Sequence, residues 1–144
     1  MVIITAIDFK KAYDSIKRES FVEILKEYRV QEEVIDIVVS IYRDDVTKIK
    51  LGDDKYVEIE VENGIRQGCT AFTVLSKLIT YKIIEEMEKK YRGISYGTKK
   101  ITCLFFADDG ILIARNISEA KEQIEYLIKV ARKYGLEISR EKSK

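Results

Sequence analysis

Two apolar segments far apart in this chain each run straight into carboxylates. Ile3-Ile4-Thr5-Ala6-Ile7 ends at Asp8, and Leu104-Phe105-Phe106 leads through Ala107 into Asp108-Asp109-Gly110 before Ile111-Leu112-Ile113 resumes. Runs rich in β-branched and aromatic residues suit strands buried in a sheet. An acid closing such a strand is costly unless something cationic meets it. The chain must therefore build a covered β layer with an acidic tip, and the rest of the sequence must supply the cover.

The remaining periodicity provides helices. Ser20 and Glu23 have capping-box spacing before Phe21, Val22, Ile24, Leu25 and Tyr28, and Val34 to Tyr42 gives a second short helix. Ile49 and Leu51, then Val57, Ile59 and Val61 alternating with Glu58, Glu60 and Glu62, predict a hairpin with one wet face across Gly52 to Lys55. From Thr70 to about Tyr91 the apolar positions recur at helical spacing and make the longest helix. Ile101 to Phe106 and Ile111 to Ala114 predict a second hairpin, with both faces covered. Ser118 can cap a last helix that Gly135 stops, and Leu136-Glu137-Ile138 follows as a short strand. Hairpin-type strand connections mixed with helices predict an α+β fold, an antiparallel sheet with helices packed on one face.

Composition narrows the chemistry. The 144 residues are 46% hydrophobic, contain no proline and show no linker or repeat, so one continuous domain over residues 1–144 is expected. No run is long enough to span a membrane and no charged leader precedes the first apolar residues, which predicts an intracellular protein with no membrane partner. Histidine is absent, which removes Ser-His and Cys-His nucleophile pairs and histidine-ligated zinc. Two cysteines give no disulfide framework. With 26 Lys and Arg against 25 Asp and Glu, no global field draws in a polyanion. Carboxylates, lysine, tyrosine and backbone must carry any reaction.

The acids admit two readings. Asp44-Asp45 and Asp53-Asp54 look like loop and turn acids, and Asp108-Asp109-Gly110 could be another such turn. Asp8 could equally end a strand or cap a helix. If the two apolar segments are neighbouring strands, however, Asp8 and Asp108 meet at one point. Hard oxygen ligands so gathered suit a pair of divalent ions about 3.5–4 Å apart and phosphoryl transfer.

Four segments then stand in a telling order: Ala-Ile-Asp-Phe-Lys-Lys-Ala-Tyr-Asp (6–14), Asn-Gly-Ile-Arg-Gln-Gly-Cys (63–69), Phe-Ala-Asp-Asp-Gly-Ile-Leu-Ile-Ala (106–114) and Gly-Leu-Glu-Ile-Ser-Arg-Glu-Lys-Ser-Lys (135–144). This order resembles the palm motifs of reverse transcriptases of the non-LTR retroelement and group II intron branch. The resemblance implies a polymerase palm with a ferredoxin-like or RRM-like core, acting as an RNA-directed DNA polymerase that adds a dNTP to a primer 3′-hydroxyl.

It further implies roles for individual residues. Asp8 and Asp108, with Asp109 beside them, match the ligands of two Mg²⁺ ions, with Mn²⁺ as an alternative. The Phe9 carbonyl is a further candidate ligand, the amides of Lys11 and Ala12 face the triphosphate, and Tyr13 matches the aromatic gate under the incoming sugar. Gln67 and Gly68 match the loop that meets the nascent base pair, and Lys142 matches a lysine proposed to protonate pyrophosphate. The implied partners are an RNA template, a DNA primer and a dNTP. Fingers and thumb, which have no sequence here, are expected from flanking segments of a parent polyprotein, so the isolated chain is expected to be poorly active. The chain departs from the family after Cys69, where Thr70-Ala71-Phe72-Thr73 replaces the usual Pro-Leu-Ser-Pro. That departure leaves a rival expectation of an inactive palm remnant serving as an RNA- or protein-binding scaffold. A nucleotidyl cyclase would share the metal logic, but nothing in it calls for Tyr13 or Gln67-Gly68.

Overall fold

The computed structural model describes residues 2–43, 45–52, 55–65 and 70–144. The elements in order are β1 (Ile3–Asp8), α1 (Ala12–Ser15), α2 (Glu19–Glu27), α3 (Glu32–Tyr42), β2 (Val46–Lys50), β3 (Tyr56–Glu60), α4 (Thr70–Lys90), β4 (Ile94–Tyr96), β5 (Lys99–Ile101), β6 (Cys103–Phe106), β7 (Asp109–Ala114) and α5 (Ile117–Lys133). The expected α+β architecture is present: an antiparallel sheet ordered β1-β7-β6, with α4 and α5 packed on one face.

The β1–β7 register sets everything near the acids. Ile3 faces Ala114, Thr5 faces Leu112, Ile7 faces Gly110 and Asp8 faces Asp109. Antiparallel partners project to the same side, so Thr5, Leu112 and Cys103 lie under the helices while Ile4, Leu104 and Phe106 lie on the other face. The covered side continues into a core of Phe21, Ile79, Ile83, Met87, Leu127 and Val130, all at most 1% exposed except for the wall around them. Burial also pushes the Cys103 thiol up to about 12.

Lys82 is a buried cation among these helices, reaching from α4 to Glu27 on α2 and to Glu85 at 3.0 Å. Its hydrogen bond to Glu27 holds the ammonium well above the ordinary lysine range. Burial alone would have done the opposite, so the carboxylate partners win.

The structure corrects several expectations. Phe106 is 85% exposed and Leu104 50%, so the second hairpin is covered on one face only. Its first strand is shorter than expected: residues 99–101 pair with β4 instead, and Thr102 separates them from β6. The β2–β3 hairpin has neither face covered by described residues, because Ile49, Leu51, Val57 and Ile59 remain 42–62% exposed. Its Asp53-Asp54 tip lies outside the described residues, as does Asp44.

Helix entry points also move. α2 starts at Glu19 without a side-chain cap, so the Ser20/Glu23 box is not used. The last helix is capped by Asn116, whose Oδ1 accepts the Glu119 amide at 2.9 Å, rather than by Ser118. Glu119 in turn accepts the Arg115 amide, and the Arg115 guanidinium holds its carboxyl below the usual range. Leu136 to Ile138 forms no strand beyond a single bridge from Ile138 to Phe9.

Two measurements check this packing. Leu127→Ala should cost about 2–5 kcal/mol in urea unfolding, whereas Ile4→Ala on the open face should cost less than about 1 kcal/mol. The Cys103 thiol should resist alkylation at pH 8 in the native state. Because its folded pKa exceeds the unfolded value, the stability it contributes is full below about pH 9 and is lost as pH rises toward about 12.

Candidate active site

The sheet delivers its acids to one end. Asp8 is the last residue of β1 and Asp109 the first of β7, and the two are direct cross-strand partners. Asp108 precedes Asp109 in the two-residue turn between Phe106 and Asp109. Ala107, the other turn residue, has φ of 55°, the left-handed region that glycine normally fills. A non-glycine held there stores roughly 1–3 kcal/mol of strain. Asp8 is half-buried with its side chain 21% exposed, Asp108 is half-buried and Asp109 is exposed.

The end of the chain borders Asp8. Residues 137–144 run along the outer edge of β1: Lys10 N–H donates to Glu137 O at 2.8 Å, Ser139 N–H to Asp8 O at 2.8 Å, and Ala6 N–H to Lys144 O at 2.7 Å. Between them the Ser143 amide bonds back to Ser139 O, making a turn that carries Lys142. The Lys142 ammonium thus stands 3.7 Å from Asp8 Oδ2, while the Ser143 hydroxyl accepts the Asp8 amide at 3.2 Å. With Lys142 73% exposed, this contact is loose and strongly screened.

After Asp8 the backbone turns sharply. Phe9 is buried and stacks on Phe105 at 6.1 Å, which anchors the end of β1 to β6 beneath the acids. Lys11 then adopts a left-handed conformation, φ 43°, and starts α1. Ala12 is buried and Tyr13 half-buried, and both line a cleft of about 560 Å³ with Phe105, Phe106, Ala107 and Asp108. The steric-gate candidate and one acid therefore border the same cleft. Gln67 and Gly68 lie outside the described residues.

As a metal site, the donor set is chemically suitable, being hard carboxylate oxygens on adjacent strand ends. Among the described residues, no three acidic side chains are gathered into a ready-made cage. Like charges at such range repel, so the backbone register brings the groups near and a cation would have to draw them together. Sequence reasoning did not single out the strained Ala107 or the Phe9–Phe105 stack. The signal for the latter was Gly110, since a Cβ there would come within 2.3 Å of the Phe105 ring. Gly110→Ala should therefore destabilise the fold by about 1–3 kcal/mol, with a loss of near-UV aromatic ellipticity that a surface alanine would not cause.

Comparison with known proteins shows the family and the fold. The family model described as reverse transcriptase (RNA-dependent DNA polymerase) matches residues 2–144. The chain is 25% identical over 135 residues to the Retrovirus-related Pol polyprotein from type-1 retrotransposable element R2 of Nasonia vitripennis, covering 94% of this chain. The R2 polyprotein of Popillia japonica is 24% identical over 76% of it. The chain spans only 13% and 18% of those two polyproteins. Among solved structures, apo telomerase from Candida tropicalis, truncated from its C-terminal domain, superposes with a TM-score of 0.79 at 18% identity over 99% of this chain and 30% of its own. Telomerase from Candida albicans with a fragment of telomeric RNA gives 0.68 at 12% identity, over the whole of this chain and 26% of its own. At those identities the likeness shows the fold. No helix among the described residues is long and apolar enough to cross a membrane.

Proposed function

Given that this chain belongs to the reverse transcriptase (RNA-dependent DNA polymerase) family, we propose that it is a polymerase palm that joins a dNTP to a primer 3′-hydroxyl on an RNA template. The observation that carries this is the Asp8–Asp109 pairing, with Asp108 at the turn and Tyr13 on the wall of the same cleft as Asp108. Any two of these could be structural accident. Their convergence from opposite ends of the chain supports a site.

Asp8, Asp108 and Asp109 would hold two Mg²⁺ ions, or Mn²⁺. Such ions, when bound, lower the pKa of an attacking hydroxyl and stabilise a leaving phosphate oxygen. The chain's own residues do the rest. The Phe9 carbonyl lies one residue beyond Asp8 at the same tip, available as a further oxygen ligand. The amides of Lys11 and Ala12, ahead of the first helical hydrogen bond of α1, are donors for phosphate oxygens. Tyr13, which lines the cleft, would restrict space at the sugar. Lys142 is tied to Asp8 only loosely, so its ammonium is free to protonate departing pyrophosphate.

The rest of the grip on template and primer would come from fingers and thumb segments of a longer polyprotein of the R2 kind, of which this chain spans a small share. Gln67-Gly68 would contribute at the nascent base pair.

The test is metal-dependent primer extension together with melting. Asp108→Asn should lower single-nucleotide addition by about 10³-fold or more. Mg²⁺ at a hundredfold excess over its Kd should stabilise the wild type by about 2.7 kcal/mol and leave Asp108→Asn unchanged. A wild type whose melting ignores Mg²⁺ and which adds no nucleotide would instead favour a palm-shaped scaffold without catalysis.

A further inference from the structure

Arg18 meets four groups at once. Its side chain is 11% exposed at the start of α2, with Nε donating to the Gly64 carbonyl at 2.9 Å and Nη1 to the Val61 carbonyl. Nη2 donates to Asp45 Oδ2 at 2.7 Å, and the guanidinium carbon lies 4.5 Å from the centre of the Tyr42 ring. A planar fork of five donors can serve acceptors in three directions and still stack on a ring. Asp45, expected to be a loop acid, is 9% exposed and belongs to this cluster.

The fork holds the segment 61–65. That segment is also bonded to the backbone after Asp8: Ile65 N–H donates to Tyr13 O at 2.8 Å, Gly64 N–H to Ile16 O at 2.8 Å, and Asn63 makes an isolated bridge to Lys17. Gly64 has φ of +85°, and a Cβ there would sit 2.8 Å from the Asp14 carbonyl, so the two backbones touch directly. Val61 N–H donates to Asp45 O at 2.9 Å, which ties the foot of the β2–β3 hairpin to the same point. Residues 61–65 are thus bonded both to Arg18 and to the backbone of Tyr13, a residue that lines the cleft.

We infer that Arg18, braced by Asp45, is a positioning residue that fixes the Tyr13 backbone on residues 61–65, thereby holding Tyr13 at the cleft wall, and so sets nucleotide affinity and sugar discrimination; the inference rests on the polymerase reading above. A purely structural ion pair would affect stability without splitting Michaelis constant from turnover. Loosening a residue that binds the nucleotide equally in the ground and transition states raises the first and spares the second.

The experiment uses the chain within its complete open reading frame and compares wild type, Arg18→Lys and Asp45→Asn. Lysine keeps the charge opposite Asp45, but one ammonium cannot replace the fork at Val61 and Gly64. Amide exchange is measured at Gly64 and Ile65, with Thr5 and Leu112, register partners in the β1–β7 pair, as controls, alongside single-nucleotide addition of matched dNTP and rNTP. Arg18→Lys should speed exchange at Gly64 and Ile65 about tenfold and leave the controls unchanged. It should raise KM for dNTP about tenfold with kcat within about twofold, and lower the preference for dNTP over rNTP. Asp45→Asn, which leaves the carbonyl bonds intact, should shift the same quantities less. An Arg18→Lys protein with wild-type KM and sugar preference overturns the inference, as does one whose kcat falls while the control amides also open. If the wild type itself adds no nucleotide, the polymerase reading fails and this inference with it. A working wild type with an indifferent Arg18→Lys removes the inference alone.

Discussion

The antiparallel pairing of β1 with β7 is the interaction on which the rest depends. It joins the first strand to one more than a hundred residues later, and its register alone decides which residues face the helices. A slip of one residue would send Leu112 to the open face and bring the acids to the wrong side. The register is pinned from both directions. Leu112 and Cys103 must be buried on one face, and on that same face Gly110 must leave room for the Phe105 ring that stacks on Phe9. Packing below the sheet thereby fixes where Asp8 and Asp109 meet at its tip.

The same economy governs the surroundings of the acids. Three carboxylates at one end of a sheet repel one another, and the described structure offers them only a loosely held lysine. Buried charges elsewhere are treated differently. Lys82 is met by two carboxylates, and Arg18 by one carboxylate and two backbone carbonyls. The cations that organise the body are shielded from solvent and directly paired, whereas the acidic tip is left partly open.

Much of this was legible in the sequence because it depended on local periodicity. The long helix from Thr70, the apolar strand into Asp8 and the hairpin around Asp108 all emerge from spacing alone, and four motifs in order identified the family. What the sequence concealed was non-local. Nothing in the spacing of Arg18, Asp45 and Gly64 signals that they meet, and Asp45 sits in a pair of acids that reads as a solvated turn. Coverage was also misjudged: Phe106 and Leu104 look like core by composition, yet only one side of the sheet has helices to cover it. Helix caps were misplaced for a third reason, since Asn116 and Ser118 are both good caps and the backbone entering from β7 decides between them.

The C-terminal segment has a consequence for assembly. By running along the outside of β1, residues 137–144 occupy hydrogen-bonding positions that would otherwise stand open on that margin of the sheet. Among the described strands, β6 is left as the other margin, and it carries Cys103-Leu104-Phe105-Phe106 with no proline or charge to deter a stranger. Among the described residues, then, the flank beside the acids is closed to a further strand by the chain's own backbone, and the opposite flank is the one that offers a stranger an apolar edge.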